Sequence, residues 1–308
     1  MSRITKALQK AARERLQRSL EQPTVSAGPV TIPLESLRLG EVAAAGAVRI
    51  DAHIVSAADP RSPIAEQYRI LRTNLQSLRF RAGSRAIVVT SAVNGEGKTV
   101  TALNLALTLA RQEKLKVVLV DADLRKGTVH KWLGMAESQE GLSTALRRDG
   151  ALNGSLVMLK EPPLAVLPSG PYADQPAELL ESSNMKRLLA ALKTQFDLVI
   201  VDAPPILPVS DPGILASQAD GVLLVVKAGK TQRKTVEQAR ELLSKMKANV
   251  LGCVLTHADY YLPGYYRHYQ SYRYGENGGK GHRSKSGDVE QVQTPTPPVE
   301  ESTGASSS

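Results

Sequence analysis

At 308 residues, 42% of them hydrophobic and 22% charged, the chain has the composition of a folded protein and the length for one large α/β domain with appendages. A single cysteine, Cys253, excludes an intramolecular disulfide. No stretch approaches the roughly 18–20 apolar residues of a membrane-spanning helix, and the start lacks the apolar run of a signal peptide, so a cytoplasmic location is expected. The net charge of +9 is spread unevenly: residues 1–20 carry Arg3, Lys6, Lys10, Arg13, Arg15 and Arg18 against Glu14 alone.

That basic segment, 1–20, favours a helix suited to an acidic partner, anionic lipid or nucleic acid. Residues 21–60, rich in Pro, Gly, Ala and Val without a period, read as a linker with at most one short strand. The spacing of Ile64, Tyr68, Leu71, Leu75 and Leu78 then predicts a helix with Pro63 in its first turn. From Ala86, apolar runs alternate with helical segments: "AIVVTS", "KVVLVDAD", "LAVLPSG", "LVIVDAPP", "GVLLVVKA" and "NVLGCVLTH" are strands. Such alternation predicts, over residues 61–258, a mostly parallel β-sheet flanked by helices. Residues 259–308 turn Tyr-rich, then Gly-, Lys- and Ser-rich, and end in "TPTPPVEESTGASSS", a composition expected to stay disordered. His130 and His257 lack ligand spacing and are assigned no metal.

"VVTSAVNGEGKTVTALNLALTLA" is a strand, a Gly-containing loop and a helix opening on Lys98 and Thr99. Gly95 and Gly97 let backbone N–H groups approach phosphate oxygens, Lys98 reaches the β- and γ-phosphates, and the Thr99 hydroxyl binds Mg²⁺. The cradle comprises Asn94, Gly95, Glu96, Gly97, Lys98, Thr99 and Val100, although Ala92 stands where the eight-residue pattern begins with Gly. Asp202 ends the strand "LVIVD", where a carboxylate holds Mg²⁺ directly or through water. Asp121 and Asp123 end "VVLVDAD", close enough to shift one pKa upward or to share a metal. Together these motifs define a P-loop NTPase fold class using ATP and Mg²⁺.

In combination, "SAVNGEGKT", "VVLVDADLRKGTVHKWLG", "GLSTAL", "LPSGPYADQPAELL", "FDLVIVDAPPILPVSD" and the closing tyrosine cluster resemble the bacterial tyrosine kinases of capsule and exopolysaccharide export, over residues 61–274. The short form without spans is most similar to the autokinase type of exosortase-linked clusters. The resemblance implies that Asp123 and Asp202 complete the metal shell begun by Thr99. It makes Asp121 the leading candidate base, with the choice between Asp121 and Asp123 open, so that Lys98, Asp121, Asp123 and Asp202 form the catalytic set. It also implies acceptor tyrosines in the tail: Tyr260, Tyr261, Tyr265, Tyr266, Tyr269, Tyr272 and Tyr274. Each phosphorylation adds about −1.5 to −2 charges. Glu66, Arg69 and Arg72, at Glu-x-x-Arg-x-x-Arg spacing, would build a homo-oligomeric ring for phosphorylation in trans.

Further implied are an inner-membrane chain-length or co-polymerase protein as activator and membrane tether, a cognate tyrosine phosphatase, and no nucleic acid. Three departures stand out: Asn94 and Gly127 replace the family's frequent prolines, and "VLTHAD" replaces the Leu-Asn ending whose Asn contacts adenine, leaving Thr256 or a backbone group for that role. The alternative is a MinD/ParA-type positioning ATPase. Such a protein carries a further loop lysine where this chain has Val93, and it ends in an amphipathic helix rather than in tyrosines.

Overall fold

In the computed structural model of the chain, residues 43–44, 50–82, 85–112, 115–148, 152 and 154–258 are described; the basic segment 1–20 and the tail 259–308 lie outside them. The apolar runs form the centre of an eight-stranded sheet, ordered β1-β4-β5-β3-β6-β2-β7-β8. Its strands are β1 (Ala43–Ala44), β2 (Ala86–Ser91), β3 (Val117–Asp121), β4 (Val157–Leu159), β5 (Leu164–Leu167), β6 (Leu198–Asp202), β7 (Gly221–Lys227) and β8 (Val250–Thr256). Six strands run parallel, and β4 pairs antiparallel with β5, as expected of a mostly parallel sheet covered by helices. The short β4, only Val157, Met158 and Leu159, has too few residues to reveal a period.

Alternate residues of each strand face opposite layers. On one side Ile87, Val89, Leu119, Ile200 and Val225 pack under α1 (Val55–Ala58), α2 (Pro63–Ala82), α3 (Lys98–Ala110) and α4 (Val129–Trp132). On the other, Val88, Val120, Val201 and Leu224 pack under α5 (Leu142–Arg147), α6 (Pro176–Glu181), α7 (Ser183–Gln195), α8 (Asp211–Gln218) and α9 (Arg233–Lys245). Helix α3 is buried from Thr101 to Ala110 because the sheet covers one face and α1 and α2 the other. Its polar residues Thr101, Asn104 and Thr108 are therefore buried as well, on a face turned to the protein rather than to solvent.

One boundary and one residue differ from expectation. The folded body begins before Arg61: Ile54 is fully buried, and α3 reaches out to hold this segment. Asn104 accepts from the Ser56 N–H at 2.8 Å and donates to the His53 carbonyl at 3.1 Å, and the Ser56 and Thr108 hydroxyls lie 2.9 Å apart. These long-range bonds come from one polar face of α3, which a linker-like composition does not reveal. In α2, Leu75 and Ala65 are buried, but Ile64 is 50% exposed. Its angle places it on the apolar side, yet in the first turn half of its surface stays open while Ala65 beside it is buried. No helix among the described residues is long and apolar enough to cross a membrane.

Because Asn104 is buried and fully engaged, Asn104→Ala is expected to cost about 1–3 kcal/mol and to speed amide exchange selectively at residues 53–58. Calorimetry with hydrogen exchange checks both; unchanged exchange there would contradict the anchoring.

Candidate active site

The loop from Ala92 to Gly97 joins the central strand β2 to α3. Two turns of this loop need positive φ, 80° at Gly95 and 91° at Gly97, which glycine adopts without steric cost. A side chain on Gly95 would meet only open space, so that edge is accessible to a ligand. Helix α3 then begins at Lys98, and the N–H groups of Lys98, Thr99 and Val100 have no acceptor within the helix. They share an anion-favouring end of the helix dipole. The Glu96 side chain turns the other way, into the protein, so this residue offers the cradle its backbone alone.

The carboxylates meet because neighbouring strands end level. Asp121 on β3 is the register partner of Asp202 on β6, and β6 lies beside β2. All three acids are buried: Asp121 is 0% exposed, Asp202 1% and Asp123 6%. Lys98 Nζ stands 3.1 Å from Asp123 Oδ2, 3.8 Å from Asp202 Oδ1 and 3.4 Å from Thr99 Oγ1. One ammonium thus faces three carboxylates, and the ionised cluster carries a charge deficit matching a divalent cation.

Proton affinities follow from this crowding. Burial, reinforced by Asp202, pushes Asp121 up to about 8. The Asp121 oxygens accept from the N–H groups of Val129 at 3.1 Å and Asp123 at 3.3 Å. Burial also raises Asp202, against the opposing pull of Lys98 and the Thr99 hydroxyl. Yet neither Asp202 oxygen has a hydrogen-bond partner of good geometry. An orphaned buried carboxylate next to a threonine hydroxyl and an anion cradle suits Mg²⁺, which is held through one or two carboxylates with phosphate and water making up the rest. Consistent with that division, no group of three acidic, His or Cys side chains among the described residues forms a metal site by itself. Lys98 is held protonated, its pKa raised by Asp202 and Asp123 against the cost of burial.

Other contacts brace the site. Arg125 reaches Asp211, at the first position of α8, with Nε–Oδ2 at 2.7 Å and Nη2–Oδ1 at 3.0 Å. This pair ties the loop after β3 to the loop after β6; the acid at a helix start was its only local signal. Gly127 approaches Ser169 so closely that an added Cβ would lie 1.9 Å from its Oγ and 3.0 Å from Asp121 Oδ2. The departure from proline there is a packing requirement. Thr256 does not stand free to read a base: its hydroxyl donates to the Glu96 carbonyl at 2.8 Å.

A cleft of about 340 Å³ opens beside the loop, lined by Asn94, Gly95, Lys227, Lys230 and Thr231 among others; Asp121, Asp123 and Asp202 do not line it. Glu66 and Arg69 pair with each other on α2, half-buried, and Arg69 also donates to the Pro60 carbonyl. Arg72 lies half-buried with its Nε enclosed. The seven tail tyrosines fall outside the described residues.

A phosphate-cradling loop on a central parallel strand, with carboxylates closing the adjacent strand ends, is the P-loop NTPase fold and site. A family model described as an AAA domain matches residues 84–251. The tyrosine-protein kinase YwqD of Bacillus subtilis (strain 168) is 39% identical over 224 residues, spanning 71% of this chain and 92% of YwqD. EpsB of Ralstonia nicotianae is 30% identical over 278 residues, which are 89% of this chain but 36% of that longer protein. Among solved structures, the kinase domain of Escherichia coli tyrosine kinase ETK superposes with a TM-score of 0.63 at 30% identity, covering 66% of this chain and 79% of that one. The chain belongs to the bacterial tyrosine kinases, and its class of activity is that of a protein-tyrosine kinase.

The raised Asp202 carries a stability cost with a definite sign. A carboxyl whose folded pKa exceeds its unfolded value loses stabilisation as pH rises above the usual carboxylate range. Asp202→Asn is therefore expected to melt higher than the wild-type nucleotide-free protein at pH 8, by about 2 °C or more for each kcal/mol relieved, with a smaller gap at pH 5. A variant melting lower at pH 8 would contradict the electrostatic reading.

Proposed function

We propose that this protein is an ATP- and Mg²⁺-dependent autokinase that phosphorylates its own tail tyrosines, Tyr260 to Tyr274, in trans. The observation carrying this reading is one lysine facing three buried carboxylates beside an empty-edged phosphate cradle, in a chain of tyrosine-kinase family. Backbone N–H groups of Gly95 to Val100 bind the phosphates, and Lys98 neutralises charge on the transferring group. The tyrosine oxygen bonds to the γ-phosphorus as the bond to the β–γ bridging oxygen breaks, ADP leaves, and the tyrosine proton passes to a carboxylate. Asp121, with its raised proton affinity, suits that acceptor. Thr99, Asp123 and Asp202 would hold Mg²⁺, which when bound neutralises developing charge on the phosphoryl oxygens. Catalysis is then mostly positioning and electrostatics.

A ring built through Glu66, Arg69 and Arg72 brings one copy's tail to another's site. The 50% exposed Ile64 and 45% exposed Ile70 lie on the same helix and supply apolar area for such a contact. The basic segment 1–20 fits docking to an inner-membrane chain-length partner that activates the kinase, places it at the membrane and couples it to exopolysaccharide polymerisation and export. A tyrosine phosphatase resets the tail.

Incubation with MgATP followed by mass spectrometry is expected to place phosphate on residues 260–274 of the wild type and to show a loss of about 10²-fold or more in Lys98→Met. ATP hydrolysis without tail phosphate would favour a positioning ATPase. Reversing the charge of Arg69 and Arg72 together is expected to lower the oligomer mass and abolish tail phosphorylation; retention of both would remove the ring from the account.

A further inference from the structure

Glu96 poses an electrostatic problem: a carboxylate in the middle of an anion-binding loop adds negative charge where phosphates should lie. The chain solves it by burial, leaving Glu96 2% exposed with its side chain turned into the body. One carboxylate oxygen accepts the Val93 N–H at 2.7 Å. The other accepts the Thr231 hydroxyl and, at 3.4 Å, the Lys227 N–H. The first bond closes the loop on itself, and the other two fasten it to the end of β7 and the turn beyond.

Thr256 fastens the same loop from β8. Its hydroxyl donates to the Glu96 carbonyl at 2.8 Å, with the Val226 carbonyl more distant at 3.5 Å. Its methyl carbon lies 3.4 Å from where a Cβ on Gly97 would be, so it packs against the face of that residue from which a side chain would project. Thr256 is itself fixed, since its carbonyl accepts from the Ala228 N–H at 2.9 Å. A trans peptide points its C=O and N–H in opposite directions. Holding the Glu96 carbonyl toward Thr256 therefore aims the Gly97 N–H away from Thr256, and the hydrogen bond polarises that N–H for an anion.

We infer that Thr256 and Glu96 are a positioning pair for nucleotide binding, which set the Glu96–Gly97 peptide in its phosphate-receiving orientation before the nucleotide arrives. Thr256 thereby serves the phosphate end of the ligand. The pair rests on the nucleotide-binding part of the proposed function and is independent of the acceptor. Prior orientation removes part of the ordering cost of binding, so the effect falls on affinity.

The test measures MgATP affinity by calorimetry on the full chain, with the melting temperature of each nucleotide-free variant as a control. Thr256→Val keeps shape and strand preference but leaves the Glu96 carbonyl without its donor. It is expected to weaken MgATP binding about fivefold to tenfold, with the melting temperature lowered by several degrees at most and the chain still fully folded at the binding temperature. Thr256→Ser, which restores the hydroxyl, is expected to bind within about twofold of wild type. Binding by Thr256→Val at the wild-type level, or by Thr256→Ser as weakly as by Thr256→Val, would overturn the positioning role alone. A wild-type chain that bound no MgATP would overturn the nucleotide reading and this inference together.

Discussion

The structure turns on the confrontation of Lys98 with Asp121, Asp123 and Asp202 in a space nearly closed to water. Burying three carboxylates around one ammonium is unfavourable in isolation, as the raised proton affinities of Asp121 and Asp202 record. Only a rigid scaffold holds such groups together. Here the scaffold is the register of β3 with β6 and of β6 with β2, which brings two acids and the loop to one edge of the sheet. Strain of this kind is expected where a divalent cation is to be received, because the cation relieves the repulsion among the carboxylates and bridges them to an incoming polyphosphate.

The surrounding contacts keep that edge from relaxing. The Arg125–Asp211 pair links the two acid-bearing loops. Ser169 closes against Gly127, and Glu96 with Thr231 and Thr256 fixes the phosphate loop to the ends of β7 and β8. The two hydrophobic layers make the sheet incompressible beneath them. Fixed donors need no reorganisation when charge develops, which is how a site with little covalent chemistry of its own can accelerate phosphoryl transfer.

What the amino-acid sequence revealed follows the range of each interaction. The phosphate loop and the strand-end acids were legible because their geometry is set by a few consecutive residues: Gly95 and Gly97 before Lys98, and apolar runs ending in Asp121 and Asp202. The braces were not. Arg125 and Asp211 are 86 positions apart, Glu96 and Thr231 135, and Glu96 and Thr256 160, so no local pattern joins them. The same reason hid the attachment of residues 53–56 to Asn104, 48 positions from Ser56. Ile64 shows the converse limit: helical spacing gave its angle but not how much of its surface the neighbouring elements cover.

The central claim is that this cluster passes a phosphoryl group to a tyrosine of another copy. The most direct measurement mixes two chains with MgATP: a Lys98→Met chain with its tail intact, and a chain with an intact site whose seven tail tyrosines are replaced by phenylalanine. Mass spectrometry should find phosphate on residues 260–274 of the Lys98→Met chain, which cannot have supplied it. Consumption of ATP by the mixture with those residues left unmodified would contradict the account.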